Sequence, residues 1–450
     1  MNNNQIVKNQ TFDFLIIGFG ISGITCSINI LNTIPNAKIV VIESREKFGG
    51  VWNDALPTSC LQTDRKYYKL SSLEYPENFS RFPNKSEMLS YFNLAIHTYD
   101  LKNRITFFYN TLALDYNKIL LNSKIIWQVN TKHNYLNTEK LINTKNILFC
   151  YGLNSYKLLP KNINPNILNG KTIIHSKNLS KSLKLLNRAK KILIVGNGAS
   201  GCDILNYLYE QSKNQKFLTS KEITMIYRSN KYYIDRYIGG VSGSFILSKS
   251  FLEFFEHCPK LINTFLVTLA NIFVFKNYLD LPGEKINSKN IVGSMIINKL
   301  LKENRGSKPN QTFTYLNESL LEVNSLINNK VIVKTDNSLI SELDLVIFAT
   351  GYKHIYPITF MKLYKYTIPI NSDWTPIQNV GFFGMNPRYN FIEGVENQIK
   401  FYLELYRDKL KIQAKMPKSQ VKQWIETTQL RKQKNNLDFM DCTYQLFEKD

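Results

Sequence analysis

Short apolar runs that end in glycine mark the chain at three places. "FDFLII" (12–17) stops at Gly18, "KILIV" (191–195) stops at Gly196, and "LDLVIFATGY" (343–352) ends in a glycine-containing turn. Continuous apolar runs of this length, bounded by glycine, are typical of strands that are buried on both faces of a parallel sheet. The pattern therefore predicts an α/β fold.

The first two runs each open a strand–turn–helix–strand unit. After the first run we predict a helix from about Ser22 to Asn32 and a second strand at 37–44. After the second run we predict a helix over about 200–210 and a strand at 222–228. This order is that of the βαβ nucleotide-binding unit, so the chain repeats a whole unit of that kind.

The stretch between the two units has a mixed pattern. "FPNKSEMLSYFNLAIHTYDL" (82–101) has the spacing of an amphipathic helix, with Asn84 or Ser86 as its N-cap. "KIIWQV" (124–129) and "NILFCYG" (146–152) then predict strands. This stretch is expected to be an α+β insertion.

The turn after each first strand has the glycine spacing G-x-G-x-x-G. In a dinucleotide-binding turn the first glycine permits the tight turn, and the second lets the backbone approach a pyrophosphate at the helix N-terminus. The third lets the helix pack closely on the strand. These three roles fall in order on Gly18, Gly20 and Gly23 in the first unit and on Gly196, Gly198 and Gly201 in the second.

The residues at the ends of the second strands differ in charge. Glu43 lies about 20 positions after Gly20, the spacing at which an acid accepts hydrogen bonds from a ribose. Such a carboxylate repels a 2′-phosphate and favours FAD or NAD. The other unit ends at Arg228, followed by Ser229 and Asn230, and a guanidinium beside such donors suits the 2′-phosphate of NADPH. The alternative for both charges is an ordinary solvated strand end.

Two dinucleotide sites in one chain indicate a flavoprotein that is reduced by a nicotinamide cofactor. The motifs also resemble those of the flavin-containing monooxygenase family over nearly the whole chain. Besides the two glycine turns, they are Glu43 with "KFGGVW" (47–52), the segment 61–92, "FATGY" (348–352) and the segment 379–406, in the family's order.

The resemblance implies two Rossmann-like dinucleotide-binding domains, with the NADPH domain inserted into the FAD domain. The FAD domain would take residues 1–155 and 345–450, and the NADPH domain residues 156–344. FAD and NADPH would be the cofactors. Beyond the glycines of the two turns, the implied cofactor-binding residues are Ser22, Glu43, Gly50, Trp52, Ser200, Arg228, Thr350 and Gly351.

The resemblance further implies a monooxygenase that inserts one atom of molecular oxygen into a small-molecule substrate. The target would be a soft nitrogen or sulfur nucleophile, and the oxidant a flavin C4a-hydroperoxide. The catalytic position falls on Asp64 in "QTD", where the family has an asparagine, and a carboxylate donates no hydrogen bond unless it is protonated. An uncoupled NADPH oxidase or reductase and a non-catalytic dinucleotide-binding redox sensor remain as alternatives.

Two neighbouring groups of flavoproteins are disfavoured. The Baeyer–Villiger branch has a tryptophan where this chain has Leu179, and the dithiol reductases need a cysteine pair that Cys26 and Cys60 do not provide. His175 keeps the family's His-Ser pair and would either link the domains or carry a proton. Arg236 would contact a phosphate or a carboxamide, or lie on the surface.

Composition changes this picture little. The 450 residues carry a net charge of +22, but the lysines are scattered and no dense basic run indicates a nucleic-acid partner. No CxxC pair occurs, so no metal site is expected, and the polar N-terminus predicts a cytoplasmic protein. The apolar segment 261–275 predicts a buried helix near a substrate entrance within 251–300, with peripheral membrane contact as an alternative. The sequence does not indicate an oligomeric state.

Overall fold

The computed structural model describes residues 10–121, 124–152, 154, 156–213, 221–229, 231–233, 236–238, 241–242, 291–292, 294, 296–304, 313–325, 328–353, 379–384 and 391–412. Within these ranges the chain forms two main sheets, and each of them contains one of the glycine turns.

The first sheet is centred on the strand that precedes the first glycine turn. Its strands up to residue 149 are β1 (Thr11–Ile17), β2 (Ile39–Ile42), β3 (Ile105–Phe108), β4 (Thr111–Leu121), β5 (Lys124–His133) and β6 (Glu139–Phe149). They lie in the order β3-β2-β1-β6-β5-β4. Strands β1, β2, β3 and β6 pair in parallel, whereas β4, β5 and β6 form an antiparallel meander.

Alternate residues of the central strands enter two different cores. Phe14 and Ile16 pack on one face among the helices, while Leu15 packs on the other face against the meander, which contributes Trp127. Because both faces are covered, the strand is apolar without alternation from Phe14 to Ile17.

The helices of the first part are α1 (Ile21–Thr33), α2 (Val51–Asp54), α3 (Lys85–Thr98) and α4 (Leu101–Arg104). Helix α1 confirms the predicted helix after the first turn. The predicted N-cap at Asn84 is also confirmed, because its side chain accepts a hydrogen bond of 3.0 Å from the amide of Glu87. The Glu87 side chain in turn accepts a hydrogen bond of 2.8 Å from the backbone amide of Asn84, which completes a capping box.

The second part of the chain begins near residue 156. Its elements are β7 (Tyr156–Lys157), β8 (Ile173–His175), α5 (Leu183–Arg188), β9 (Lys191–Val195), α6 (Ala199–Lys213), β10 (Glu222–Tyr227), β11 (Tyr232–Tyr233), β12 (Tyr237–Ile238), β13 (Val241–Ser242), β14 (Ile291–Val292), α7 (Ile296–Asn304), β15 (Phe313–Asn317), β16 (Leu320–Ser325), β17 (Val331–Thr335), β18 (Leu339–Leu343), β19 (Leu345–Phe348) and β20 (Tyr352–Lys353). The second main sheet has the order β15-β10-β9-β19-β8, and all its neighbours pair in parallel.

The chain returns to the first sheet near its C-terminus. Strand β21 (Val380–Phe382) pairs in parallel with β6, and α8 (Phe391–Ile412) packs on α1, where Ile392, Val395 and Ile399 join the core of the first sheet. This return agrees with a first domain that is split in sequence.

One predicted boundary needs correction. The resemblance places residues 345–348 in the FAD domain, but β19 lies between β9 and β8 in the second sheet, so the change of sheet falls after Phe348. The cause is that β19 is an apolar strand which fits either parallel sheet equally well by sequence. The other predicted domain limits stay a prediction. Segment 261–275 lies outside the described residues, as does most of 251–300.

Candidate cofactor-binding sites

The first glycine turn joins β1 to α1 and leaves no room for a side chain at two of its positions. Gly18 has a φ of +98°, and a Cβ added there would lie 2.7 Å from the carbonyl oxygen of Cys150. A Cβ at Gly23 would lie 2.1 Å from the carbonyl oxygen of Gly18. Only glycine therefore lets α1 begin so close to β1, which agrees with the steric roles expected of these two residues.

Glu43 follows β2 and accepts a hydrogen bond from the backbone of this turn. Its residue is only 3% exposed, and Oε2 accepts a hydrogen bond of 2.7 Å from the amide of Phe19, inside the turn. Oε1 accepts a hydrogen bond of 3.0 Å from the amide of Arg45. A buried carboxylate needs such donors, and its two oxygens keep lone pairs for further donors such as ribose hydroxyls. The alternative of a solvated strand end is wrong for Glu43.

A second segment closes over the same turn. The amide of Gly49 donates a hydrogen bond of 3.0 Å to the carbonyl oxygen of Phe19. A Cβ added to Gly20 would lie 3.3 Å from the Cα of Gly50, so the two backbones meet there. Ser22 is buried beside Gly384 of the C-terminal part. The structure therefore brings Gly20, Ser22 and Gly50 together with Glu43.

Trp52 lies in the short helix that follows this segment. Its indole hydrogen-bonds the hydroxyl of Tyr68, whose pKa burial raises to about 12 while that hydrogen bond opposes the shift. The Tyr68 ring stacks on Phe391 at 6.1 Å between centroids. Trp52 thus packs against the core of the first sheet, and its predicted role in cofactor binding stays a prediction.

Asp64 is buried and is engaged by its own chain. Its Oδ2 accepts a hydrogen bond of 2.5 Å from Nε of Arg81, and its Oδ1 accepts one of 3.1 Å from the amide of Lys66, at the start of a short 3-10 helix (Arg65–Tyr67). The carboxylate also lines a cavity of about 420 Å³, whose other lining residues are Arg65, Lys66, Lys69, Glu74, Tyr75, Phe79 and Arg81. Arg81 is a functional candidate that sequence reasoning missed.

The second glycine turn repeats the steric frame of the first. Gly196 has a φ of +110°, and an added Cβ would lie 2.6 Å from the carbonyl oxygen of Ala349. A Cβ at Gly201 would lie 2.3 Å from the carbonyl oxygen of Gly196. At Gly198, by contrast, an added Cβ would meet no atom of the described residues within 4 Å, at the start of α6, where Ser200 also lies.

Asn197, in the middle of the second turn, anchors it to its surroundings. Its Nδ2 donates hydrogen bonds of 3.1 Å to the carbonyl oxygen of Ser229 and 2.9 Å to the hydroxyl of Tyr315. The hydroxyl of Tyr233 lies 3.1 Å from the carbonyl oxygen of Asn197 and 3.1 Å from the Tyr315 hydroxyl. Through Ser229 the turn therefore adjoins Arg228, which is exposed and has no ion pair among the described residues.

His175 ties β8 to the turn that contains Thr350 and Gly351. Its Nε2 lies 3.1 Å from the carbonyl oxygen of Gly351, and its Nδ1 accepts a hydrogen bond of 3.1 Å from the amide of Lys177. Burial lowers the pKa of this histidine to about 4, although the Gly351 carbonyl opposes the shift. The hydroxyl of Thr350 donates to the carbonyl of Leu158. A neutral imidazole held at both nitrogens favours the structural link over the proton carrier.

The described ranges contain neither a metal-binding cluster nor a membrane-spanning helix. No group of three or more His, Cys, Asp or Glu side chains there could hold a metal ion. In the same residues, no helix combines the length and the apolar character needed to cross a membrane.

The fold and the two turns define a protein with two dinucleotide-binding units, each with a parallel sheet, a glycine turn and a following helix. A family model described as flavin-binding monooxygenase-like matches residues 14–447, and the chain belongs to this family. It is therefore a flavin-binding monooxygenase, an oxidoreductase, and the predicted family, α/β fold and enzyme class are confirmed.

Individual proteins are similar at lower identity. The probable indole-3-pyruvate monooxygenase YUCCA1 of Arabidopsis thaliana is 24% identical over 349 residues, which is 76% of this chain and 76% of that protein. Dimethylaniline monooxygenase (N-oxide-forming) 2 of Pan troglodytes is 20% identical over 434 residues, 87% of this chain and 72% of that protein. Among solved structures, ornithine hydroxylase (PvdA) of Pseudomonas aeruginosa has a TM-score of 0.63 at 14% identity, covering 88% of this chain and 99% of that chain.

Proposed function

We propose that this chain is an FAD- and NADPH-dependent monooxygenase that inserts one oxygen atom of O2 into a small molecule at a soft nitrogen or sulfur atom. Membership of the flavin-binding monooxygenase family supports the reaction class. The names of two similar proteins, an N-oxide-forming monooxygenase and an ornithine hydroxylase, support nitrogen as the target. The contrast between a buried acid at one turn and an exposed guanidinium at the other carries the assignment of the two cofactors.

The first unit fits FAD. The backbones of Gly20 and Gly50 form a narrow contact that a side chain would fill. A Cβ added to Gly20 would lie 3.3 Å from the Cα of Gly50, and a Cβ added to Gly50 would lie 3.0 Å from the Cα of Gly20. This cradle leads to the N-terminus of α1, where backbone amides favour a pyrophosphate. Glu43 is already oriented by the turn and would accept hydrogen bonds from the ribose of the adenosine half. Its charge disfavours a 2′-phosphate at this place.

The second unit fits NADPH. The space beside Gly198 would receive the pyrophosphate at the N-terminus of α6. Arg228 follows the end of β10 and precedes Ser229, and Lys231, whose pKa burial lowers, lies three positions after Arg228. Two cations at this strand end match the two negative charges of a 2′-phosphate.

When bound, the reduced flavin supplies the oxygen-activating chemistry, which we propose passes through a C4a-hydroperoxide as the family resemblance implies. The chain's own residues bind and orient the reactants. Trp52 and Tyr68 fill the space beside the first turn and exclude water from it. Asp64, fixed by Arg81, offers a hydrogen-bond acceptor to whatever adjoins it, for example an amide or an ammonium group.

A second candidate function is an uncoupled NADPH oxidase or reductase, and the bond between Asp64 and Arg81 favours it. An asparagine at this position would donate a hydrogen bond through its amide. A carboxylate paired with a guanidinium accepts hydrogen bonds instead, so this chain does not supply that donor. Oxygen that is not held in place would leave as hydrogen peroxide.

The test is a stoichiometric balance on the purified protein. We expect bound flavin, its reduction by NADPH, and one molecule of N- or S-oxygenated product for each NADPH consumed in the presence of trial amines and thioethers. Hydrogen peroxide that accounts for all the NADPH with every trial compound would establish the oxidase instead. Protein from which denaturation releases no flavin would overturn both proposals.

A further inference from the structure

A polar cluster outside both glycine turns joins the two units. The hydroxyl of Ser59 donates a hydrogen bond of 2.7 Å to Oδ2 of Asp203. Asp203 lies in the second turn of α6, the helix that begins at the second glycine turn. Ser59 lies between α2 and Asp64, in the loop of residues 55–63 of the first unit, named the covering loop. This single hydrogen bond therefore connects the helix of one unit to the covering loop of the other.

Arg236 reaches the same place from the second unit. Its guanidinium carbon lies 5.6 Å from the centroid of the Phe82 ring, which belongs to the first unit. Burial raises the pKa of the Cys60 thiol, and the Arg236 charge opposes this shift while the Asp203 charge adds to it. Nε of Arg236 is buried with no hydrogen-bond acceptor among the described residues. Arg236 thus lies beside Asp203 and faces Cys60 and Phe82.

The Asp203 carboxylate carries the charge in this cluster. Burial raises its pKa to about 6, and the Ser59 hydrogen bond and the Arg236 charge act against that rise. Above that pH the anion lies between a hydroxyl donor and a guanidinium. A hydrogen bond to an ionised acceptor is shorter and stronger than a neutral one, so the contact resists sliding of α6 over the covering loop.

We propose that Ser59, Asp203 and Arg236 form an interdomain clamp that positions the nicotinamide of the second unit against the flavin of the first. The proposal rests on the proposed function, since it needs both cofactors in their assigned units. In the step concerned, a hydride passes from NADPH to FAD, which leaves NADP+ and, with one proton from solvent, the reduced flavin. The three are positioning residues, because they lie outside both glycine turns.

The geometry explains why a clamp at this place would govern the rate. Helix α6 holds the phosphates of NADPH at its first residues, so any displacement of the helix moves the nicotinamide by a similar amount. Hydride transfer requires the reacting atoms to approach to about 3–3.5 Å, and an error of 1 Å costs on the order of 100-fold in rate. Binding of NADPH would depend instead on Gly198 and Arg228, and within the described residues the three clamp side chains form no hydrogen bond or ion pair with either of them.

The experiment compares Asp203→Asn with wild type as holoenzyme under anaerobic stopped-flow conditions. We expect flavin reduction at saturating NADPH to slow by roughly 10- to 100-fold, with the Kd for NADPH changed less than about twofold. Reduction by dithionite should be unchanged. Glu222→Gln, an exposed carboxylate at the far end of β10, is the matched control and should behave as wild type.

A readout without cofactors accompanies the kinetics. In the apoprotein, amide hydrogen exchange should quicken in both 59–82 and 199–213 for Asp203→Asn, and in neither segment for the control. Ser59→Ala should show the same slower flavin reduction and the same faster exchange. Ser59→Thr, which keeps the hydroxyl, should behave as wild type in both measurements. The Ser59 pair also serves if Asp203→Asn does not fold.

The outcomes separate the clamp from the proposed function. If NADPH does not reduce the wild-type flavin, the proposed function fails. If it does, but Ser59→Ala and any folded Asp203→Asn react at the wild-type rate, the clamp alone is refuted. A weaker Kd for NADPH at an unchanged limiting rate would also overturn it, because Asp203 would then be a binding residue.

Discussion

In both glycine turns the first glycine packs against the end of a neighbouring strand in the same sheet. Gly18 meets the carbonyl of Cys150 after β6, and Gly196 meets the carbonyl of Ala349 after β19, at almost the same separation from an added Cβ. The steric frame is therefore the same in the two units. It follows from the parallel pairing of three strands around a turn and does not depend on which cofactor binds.

The residue between the first and second glycines, Phe19 in one turn and Asn197 in the other, makes different hydrogen bonds in the two turns. In the first turn the amide of Phe19 donates to the buried carboxylate of Glu43. In the second turn the side chain of Asn197 donates outward, to Ser229 and Tyr315. The acid that orients the first turn is thus part of its structure, whereas the second turn is built without the charged group at its strand end.

The two charged groups therefore differ in structural role even without a cofactor. Glu43 holds the first turn through its buried hydrogen bond with Phe19, and its proposed contact with a ribose would use the remaining lone pairs. Arg228 is exposed, so its removal changes little in the folded protein and its effect should appear only with the coenzyme. The second glycines differ in the same sense, since an added Cβ would meet Gly50 at Gly20 and no atom of the described residues within 4 Å at Gly198.

The largest effect should come from filling the shared frame. In Gly23→Ala the new Cβ would lie 2.1 Å from a backbone oxygen, and α1 would have to move away from β1. We expect the free energy of unfolding to fall by about 3 kcal/mol, with loss of bound flavin. Denaturant unfolding and the flavin content of the purified protein measure this.

Gly198→Ala is the matched control for that substitution. The added methyl group would meet no atom within 4 Å in the part of the chain that the structure describes, so the free energy of unfolding should stay within about 0.5 kcal/mol of wild type while the affinity for NADPH falls. Equal destabilisation by the two alanines would contradict the comparison of the turns.

The next effect concerns His175, a buried histidine at the end of β8, the strand beside β19 in the second sheet. The folded pKa of His175 is about 4, against about 6.5 in an unfolded chain. Between these values the unfolded chain binds a proton that the folded chain does not, so stability falls as pH falls from about 6.5 to about 4. The loss amounts to about 3 kcal/mol at pH 4, and above pH 6.5 this group gives no pH dependence.

His175→Gln isolates this contribution. The variant should be less stable than wild type at pH 7 but should lose less stability on acidification, as urea titrations at several pH values would reveal. Asp203 has a raised pKa and acts in the opposite direction over the same range, so the difference between the two proteins is the informative quantity. His97→Gln, at an exposed histidine, is the control for the exchange of a histidine for glutamine.

Local patterns in the sequence revealed more of this structure than long-range ones. The capping box of Asn84 and Glu87 lies within four residues and could be predicted, as could the two glycine turns. The partner of Asp64, Arg81, lies in a loop whose path no periodicity fixes. The hydrogen bond between Ser59 and Asp203 depends on how two sheets meet, which no single segment encodes.

The strand β19 illustrates the same limit. Its four buried apolar residues predict a parallel strand, but either main sheet could contain such a strand. Strand β19 also resembles the end of β6, because both are followed by a turn that contains glycine. Only the pairing with β9 and β8 decides its sheet. Sequence likewise could not tell that Glu43 is buried and Arg228 exposed, since both follow apolar strands.

Removing the positive charge of Arg228 beside the second turn should change the binding of NADPH but not the stability of the protein. Arg228→Ala should raise the KM for NADPH by about 10- to 150-fold, which corresponds to roughly 1.5–3 kcal/mol, and should leave the KM for NADH nearly unchanged. Thermal unfolding of the cofactor-free protein should not shift, because the side chain is exposed. Steady-state kinetics with both coenzymes test this, and equal losses for NADPH and NADH would remove the phosphate assignment.

The smallest effect should come from the tyrosines that hold the second turn. Tyr315→Phe removes the acceptor for one donor of Asn197 and one neighbour of the Tyr233 hydroxyl, while the ring can still stack on Tyr227 at 4.2 Å. One neutral hydrogen bond contributes about 1 kcal/mol, so NADPH affinity should fall by no more than about fivefold, and FAD content should not change. Isothermal titration with NADPH and the flavin absorbance report the two quantities. Tyr135→Phe, at an exposed tyrosine of the first sheet's β5–β6 hairpin, is the control. A change in FAD content for Tyr315→Phe would mean that the second turn affects the first. The first turn, bound to Glu43, and the second turn, bound to Ser229 and Tyr315, would then not be independent of each other.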